Sequence, residues 1–152
     1  VKMTKDSGKH NYTKNKDWDE SIPDNLYFTE LFRVSKNQII WGGNYFTQHL
    51  PPSKNWIVWD KLNPNLTFAD GELAWVNIGN KLRIYKHYSA QVEDGGKIHP
   101  TQKPVKLYEW IYHNYANKGD KILDTHLGSG SSAIAAHNGG FDFTGIEIDT
   151  EY

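Results

Sequence analysis

No cysteine occurs among the 152 residues. That excludes a disulfide framework and any cysteine-based metal site. No apolar run approaches the roughly 20 residues that span a bilayer, and no secretion-signal pattern is present, so a soluble intracellular chain is the expectation. Excess charge of one sign is also missing. Lysine and arginine number 17 against 18 acids, a net charge of -1, so the chain as a whole is no polycation for nucleic acid. The seven histidines include no i,i+4 pair and no H-E-x-x-H, the pattern of a helix-borne zinc site. No internal repeat or low-complexity segment stands out. Aromatics, by contrast, are plentiful at 14%, with six tryptophans, which argues against disorder. The length suits one domain with one core. Charge is uneven locally: from Val1 to Lys16 there are five lysines (Lys2, Lys5, Lys9, Lys14, Lys16) against Asp6 alone. Such an arm is either a phosphate-contacting segment or a solvated loop.

Elements follow from periodicity. Val1 to Trp18 reads as loop. Ser21 as cap and Pro23 in the first turn predict a helix to about Ser35, with Leu26, Tyr27, Leu31, Phe32 and Val34 as its apolar face. Strands are predicted in NQIIWGG (37–43), NWIVWDK (55–61) and ELAWVNI (72–78). KLRIYKHY (81–88) alternates Leu82, Ile84 and Tyr88, a strand with one wet face, and Gly79-Asn80 would make a hairpin with the strand before it. A helix begins at Pro104, carries Val105, Tyr108, Ile111, Tyr112 and Tyr115 at helical spacing, and ends by Gly119. Strand 121–125, a glycine turn, helix 130–138, a Gly139-Gly140 break and strand 141–148 then form a βαβ unit, which requires a parallel pair and a right-handed crossover.

The turn in KILDTHLGSGSSAIAA (121–136) carries the chemistry. A glycine turn at a helix N-terminus lets the backbone approach a ligand closely. G-S-G-S-S-A, Gly128 to Ala133, fits the dinucleotide spacing G-x-G-x-x-[G/A], but no lysine follows Gly130 as a P-loop requires. Asp124, just ahead of the turn, would repel a pyrophosphate and welcome an amine. Glu147, about 20 residues on, stands where a carboxylate accepts both ribose hydroxyls. The two acids describe S-adenosylmethionine, a nucleoside with an amine and no phosphate. A dinucleotide-dependent oxidoreductase is the competing reading, and it leaves HPTQKP (99–104) unexplained.

Over nearly its whole length the chain resembles the amino-group DNA methyltransferases, which make N6-methyladenine or N4-methylcytosine, in the permuted (β) order of phage and restriction-modification enzymes. HPTQKPVKLYEWI (99–111) is similar to the family's segment leading into the cofactor strand. LDTHLGSGSS is similar to its glycine motif, GIEIDTEY to its ribose strand, ELFRVSKNQIIWGG to the helix and strand after its catalytic loop, and WIVWDK to a strand bordering the base pocket. The resemblance implies an α/β, Rossmann-like S-adenosylmethionine-dependent fold: a mostly parallel sheet with helices on both faces, incomplete at both ends. It implies one domain, with a target-base half (1–78), a short connecting or recognition region (79–98) and a cofactor half (99–152). It places Asp124, Gly128, Ser129 and Gly130 at the methionine end of S-adenosylmethionine and Glu147 at the ribose. Thr101 and Lys103 would lie by the methionine carboxylate, with His99 and Pro100 shaping the turn. Trp59, Asp60 and Lys61 would border the base pocket. No metal is implied. The partner would be double-stranded DNA in the cytoplasm of a bacterial or phage-infected cell, and a homodimer is compatible with the resemblance.

Two departures stand out. Thr125-His126 replace the Pro-Phe that usually follows the motif aspartate, leaving the role of His126 open. The family's catalytic tetrapeptide, [D/N/S]-P-P-[Y/F], is absent; the one Pro-Pro, in LPPS (50–53), lacks both the polar and the aromatic member and follows IIWGG instead of preceding it. The expectation is that the tetrapeptide lies just ahead of Val1 and that these residues are part of a larger enzyme. The alternative is an inactive prophage remnant that binds DNA or cofactor only. Reading the codons upstream of Val1 separates them: a D/N/S-P-P-Y/F run is expected for the enzyme, and an in-frame stop or unrelated sequence would count for the remnant.

Overall fold

A computed structural model of the protein describes residues 22–62, 69–89 and 101–149. Ser21, the basic arm, His99 and Pro100 lie outside these residues. The first helix, α1, runs Asn25–Val34. Its cap is Asp24, not Ser21: the Asp24 carboxylate accepts from the Tyr27 amide at 2.9 Å. Phe28 is its buried residue, with Tyr27 and Phe32 packed around the same cluster, while Leu26 and Val34 face water. The predicted stripe is thus displaced onto the i,i+4 pair Phe28–Phe32. Phe28 meets Leu50 and Trp75 and stacks on His49 at 4.7 Å.

Strands β1 (Ile39–Trp41), β2 (Trp56–Asp60), β3 (Gly71–Val76) and β4 (Arg83–Lys86) form one sheet in the order β1-β3-β2-β4. A short 3₁₀ turn, Gly43–Tyr45, follows β1. β3 is antiparallel to both β1 and β2, and β4 is parallel to β2. The sheet is therefore mixed, not mostly parallel. Nor do β3 and β4 form the expected hairpin. The register Trp56↔Trp75 and Ile57↔Arg83 shows the chain passing the start of β2 and adding β4 on its far side.

Alternation along the strands builds two cores. Ile40, Trp56 and Trp75 share the face covered by α1. Ile39, Trp41, Ile57, Trp59, Ala74 and Val76 face the other way, against Leu107, Ile111 and Tyr112 of α2 (Val105–Tyr115). Full burial of a large apolar side chain contributes about 1.5–3 kcal/mol, so residues such as Trp59, Ile57 and Leu107 hold this side together. Helices on both faces are as the sequence predicts.

β4 is a strand with one wet face, but the faces are reversed. Leu82, Ile84 and Tyr88 are 49%, 58% and 50% exposed. Tyr85 instead turns to α2, its ring 5.0 Å from Trp110, and Arg83 donates to Asn114 at 3.0 Å. The register explains this: Arg83 and Tyr85 lie level with Ile57 and Trp59, on the α2 side. On the opposite face the α1 cluster takes in Ile40 of β1, Trp75 of β3 and Trp56 at the start of β2.

β5 (Lys121–Asp124), α3 (Ser131–Gly139) and β6 (Asp142–Gly145) form the βαβ unit, with β5 and β6 parallel. α3 packs through Ala135 and Ala136 into the α2 core. No described helix is long and apolar enough to cross a membrane. Tyr85→Ala should cost about 2 kcal/mol or more, and Ile84→Ala should stay within about 0.5 kcal/mol, by urea unfolding. A larger cost at Ile84 would contradict the assignment of faces.

Candidate functional site

Parallel pairing sets Asp124 level with Gly145, so β5 and β6 end at one edge of their sheet. The backbone then ties the two exits together. Ile146 N–H donates to the Asp124 carbonyl at 2.8 Å, and Leu127 N–H donates to the Ile146 carbonyl at 3.0 Å. Gly128 and Gly130 take left-handed φ of 52° and 74°. A Cβ on Gly130 would meet nothing within 4 Å, so glycine is needed there for conformation, not for space. The turn feeds directly into α3, whose first-turn amides have no side-chain cap.

Asp124, Gly128 and Glu147 are brought together. One Glu147 oxygen accepts from the Gly128 amide at 2.7 Å and the other from the Asp149 amide at 2.8 Å. These two bonds orient the Glu147 carboxylate at the mouth of the turn. Asp124 accepts from the His126 amide at 3.0 Å and from the hydroxyl of buried Ser132. The Ser129 and Ser131 hydroxyls bond each other at 3.0 Å. Neither 124–130 nor 146–149 contains a lysine or arginine. The donor and acceptor set suits an amine and a diol, and opposes a pyrophosphate. Among the described residues no three His, Asp or Glu side chains converge as a metal site.

Thr125 and His126 connect the turn to α1. Tyr27 OH and Thr125 Oγ1 are 2.9 Å apart, Thr125 Oγ1 and His126 Nδ1 are 3.0 Å apart, and the Tyr27 and His126 rings meet edge-on at 5.6 Å. Burial pushes the Tyr27 hydroxyl above its ordinary value; the bond with Thr125 opposes this and nearby Asp124 adds to it. His126 stays exposed at the mouth of the turn.

Lys103 and Lys61 meet at one acid that the sequence did not single out. Both bind Glu72. Lys61 Nζ lies 2.9 Å from Oε1 and Lys103 Nζ 3.1 Å from Oε2, with the lysine side chains only 14% and 13% exposed. Each ammonium also lies over an indole, Lys61 over Trp59 at 5.3 Å and Lys103 over Trp41 at 5.2 Å. Trp59 itself is 1% exposed, and its Nε1 donates to the His87 carbonyl. It is a core residue of the sheet face that α2 covers. Asp60 caps the Leu62 amide and lies 3.8 Å from Lys86. Thr101 is exposed ahead of α2.

Sequence reasoning missed Glu72, Tyr27 and Ser132. For Glu72 a signal existed, since a lone acid inside an apolar strand run is seldom buried without a partner. Tyr108 lies on α2. Burial pushes its hydroxyl far up, and the charges of Asp124, Tyr112 and Glu72 push it the same way.

A family model described as DNA methylase matches residues 2–152. Over 62 residues, 41% of this chain, the sequence is 42% identical to the type II methyltransferase M2.DpnII of Streptococcus pneumoniae. Over 54 residues, 36% of this chain, it is 44% identical to the DNA adenine methyltransferase YhdJ of Escherichia coli K12. Those stretches span 23% and 18% of the two relatives, less than a quarter of their length. Among solved structures, the M1.HpyAVI–SAM complex matches with TM-score 0.67 at 21% identity, over 86% of this chain and 79% of that one. A second structure of M1.HpyAVI matches with TM-score 0.51 at 23% identity, over 76% and 67%. The likeness is one of fold, and it agrees with the Rossmann-like α/β class expected.

Burial pushes the Glu72 carboxyl up, but Lys103 and Lys61 outweigh it and hold it below the usual range. A depressed folded value stabilises the protein above the unfolded value of about 4.3, and that stability is lost as pH falls through the folded value. Glu72→Gln should therefore lower the urea midpoint at pH 7 and reduce the further loss between pH 5 and pH 3. Parallel pH profiles for the two proteins would contradict the ion-pair network.

Proposed function

This chain belongs to the DNA methylase family, and on that premise we propose that it holds S-adenosylmethionine at the common end of β5 and β6. The observation that carries the reading is the convergence of Asp124 and Glu147 on one glycine turn with no cation in it. Glu147, oriented by the Gly128 and Asp149 amides, accepts from the ribose diol. Asp124, held by Ser132 and the His126 amide, faces the methionine amine. Gly128, Ser129 and Gly130 let the chain turn closely beside the nucleoside, and Lys103, with exposed Thr101, serves the methionine carboxylate. The bound group supplies a sulfonium methyl. The whole enzyme moves that methyl to the exocyclic amino group of adenine or cytosine in double-stranded DNA.

The reading divides the chain by role. Residues 99–152 form the cofactor half, 79–98 the connecting or recognition region, and 1–78 the target-base half. The target nucleotide must leave the duplex for its amino group to reach the methyl, and the protein's contribution is orientation and hydrogen bonding. Lys61 and Asp60, at the end of β2, remain on the target side of this arrangement, and the basic arm at Val1–Lys16 suits DNA phosphates. A bacterial or phage-infected cytoplasm supplies both substrates. A homodimer is part of the same proposal.

Hydrogen bonds to charged groups contribute about 1.5–3 kcal/mol, so Asp124→Ala and Glu147→Ala should each weaken S-adenosylmethionine roughly tenfold to a hundredfold by calorimetry. NAD should not bind. A dinucleotide that competes, or two variants that bind as tightly as the wild type, would overturn the reading.

A further inference from the structure

Glu72 joins three segments that are distant in sequence. It is the second residue of β3, Lys61 follows the end of β2, and Lys103 precedes α2. Each of its two oxygens takes one ammonium, Oε1 from Lys61 and Oε2 from Lys103. We propose that Glu72 is a positioning residue for the carboxylate of the cofactor's amino-acid end: it fixes Lys103 so that this cation meets the carboxylate while Asp124 meets the amine. The inference rests on the S-adenosylmethionine reading above and adds a residue that touches no ligand.

Three observations support it. First, one carboxylate serves two ammoniums, so the cluster keeps a net charge of +1 with little access to water. A surplus positive charge of that kind favours one further anion. Second, α2, which Lys103 immediately precedes, reaches the acidic turn: the Tyr112 hydroxyl donates to the Ser132 carbonyl at 3.2 Å, and the Ser132 hydroxyl donates to Asp124. A cation beside an acid is the complement of a zwitterionic amino acid. Third, Lys103 is held from two sides, by Glu72 at 3.1 Å and by the face of Trp41 at 5.2 Å. A lysine stem is otherwise flexible, and its ammonium acts only where it is held.

Removing the Glu72 charge has two opposite effects. It frees Lys103 from a competing anion, which favours the ligand. It also leaves two poorly hydrated ammoniums without a counter-charge, facing each other and, in a glutamine variant, an amide N–H₂ donor. The second effect dominates, because an unpaired cation that is almost out of water relocates or loses its proton.

Two ligands separate positioning from mere stability. S-Adenosylhomocysteine carries the amino-acid carboxylate; 5′-methylthioadenosine has the same nucleoside without it. By calorimetry on the full chain, Glu72→Gln should bind S-adenosylhomocysteine about tenfold more weakly, the scale of one charge-assisted contact, and keep 5′-methylthioadenosine within about twofold. Lys103→Ala should show the same selective loss, and the double variant no more than Lys103→Ala alone. Glu72→Asp keeps the charge but shortens the reach, and should lose affinity in the same direction for the same ligand only. Equal loss of both ligands in the Glu72 variants overturns the proposal in favour of a structural role. So does unchanged or tighter S-adenosylhomocysteine binding in Glu72→Gln when Lys103→Ala weakens it. A wild-type chain that binds neither ligand overturns the reading of the site itself, and the role of Glu72 with it.

Discussion

Parallel pairing of β5 with β6 is the constraint on which the site depends. Two strands that run the same way must end on the same sheet edge, and the chain needs a helical crossover to achieve it. α3 is that crossover. Its entry is the glycine turn and its return is β6, so Asp124 and Glu147 leave the sheet side by side although 22 positions separate them. The Glu147 bond to the Gly128 amide closes this loop at its mouth. An antiparallel β6 would have carried Glu147 to the opposite edge, and the two acids would share no ligand.

The mixed sheet does a different job. β3 lies between β1 and β2 and its last three residues are buried, Trp75 towards α1 and Ala74 with Val76 towards α2. Its first turn of chain carries Glu72 to the point where Lys61 and Lys103 meet. Tyr27 makes a corresponding link from α1 to Thr125. Two tertiary contacts thus supplement the apolar packing of the sheet on α2 in connecting the half that would face the target base to the half that would hold the cofactor. Both are polar, and both lie where the sequence departs from simple apolar patterning. Burial of the lysine stems with their heads paired on one carboxylate explains how so much charge is accommodated beside a core.

Local features were legible in the sequence. Strand, glycine turn and helix sit within one short stretch, and the spacing from Asp124 to Glu147 is set by the βαβ unit itself, so neither needed knowledge of distant contacts. The strands from 37 to 86 were found for the same reason. Their partners were not. Periodicity showed that β4 has one wet face, but which face depends on its parallel register against β2, and Ile84 proved to be outside while Tyr85 packs on Trp110. The cap of α1 was displaced from Ser21 to Asp24 because the helix begins where Phe28 can reach Leu50 and Trp75. The resemblance of WIVWDK to a pocket-bordering strand could not show that the alternation of β2 turns Trp59 into the α2 core. Glu72 offered only the signal of a lone acid in an apolar run, because both of its partners come from elsewhere in the chain.

The central claim is that the exits of β5 and β6 form one binding surface for a phosphate-free nucleoside. The most direct measurement is an amide-resolved NMR titration of the chain with S-adenosylhomocysteine. The account predicts that the amides of Gly128, Gly130 and Asp149 shift together and saturably, while those of β4 stay still and added NAD does not reverse the change. Saturable shifts confined to other elements, or reversal by NAD, would contradict it.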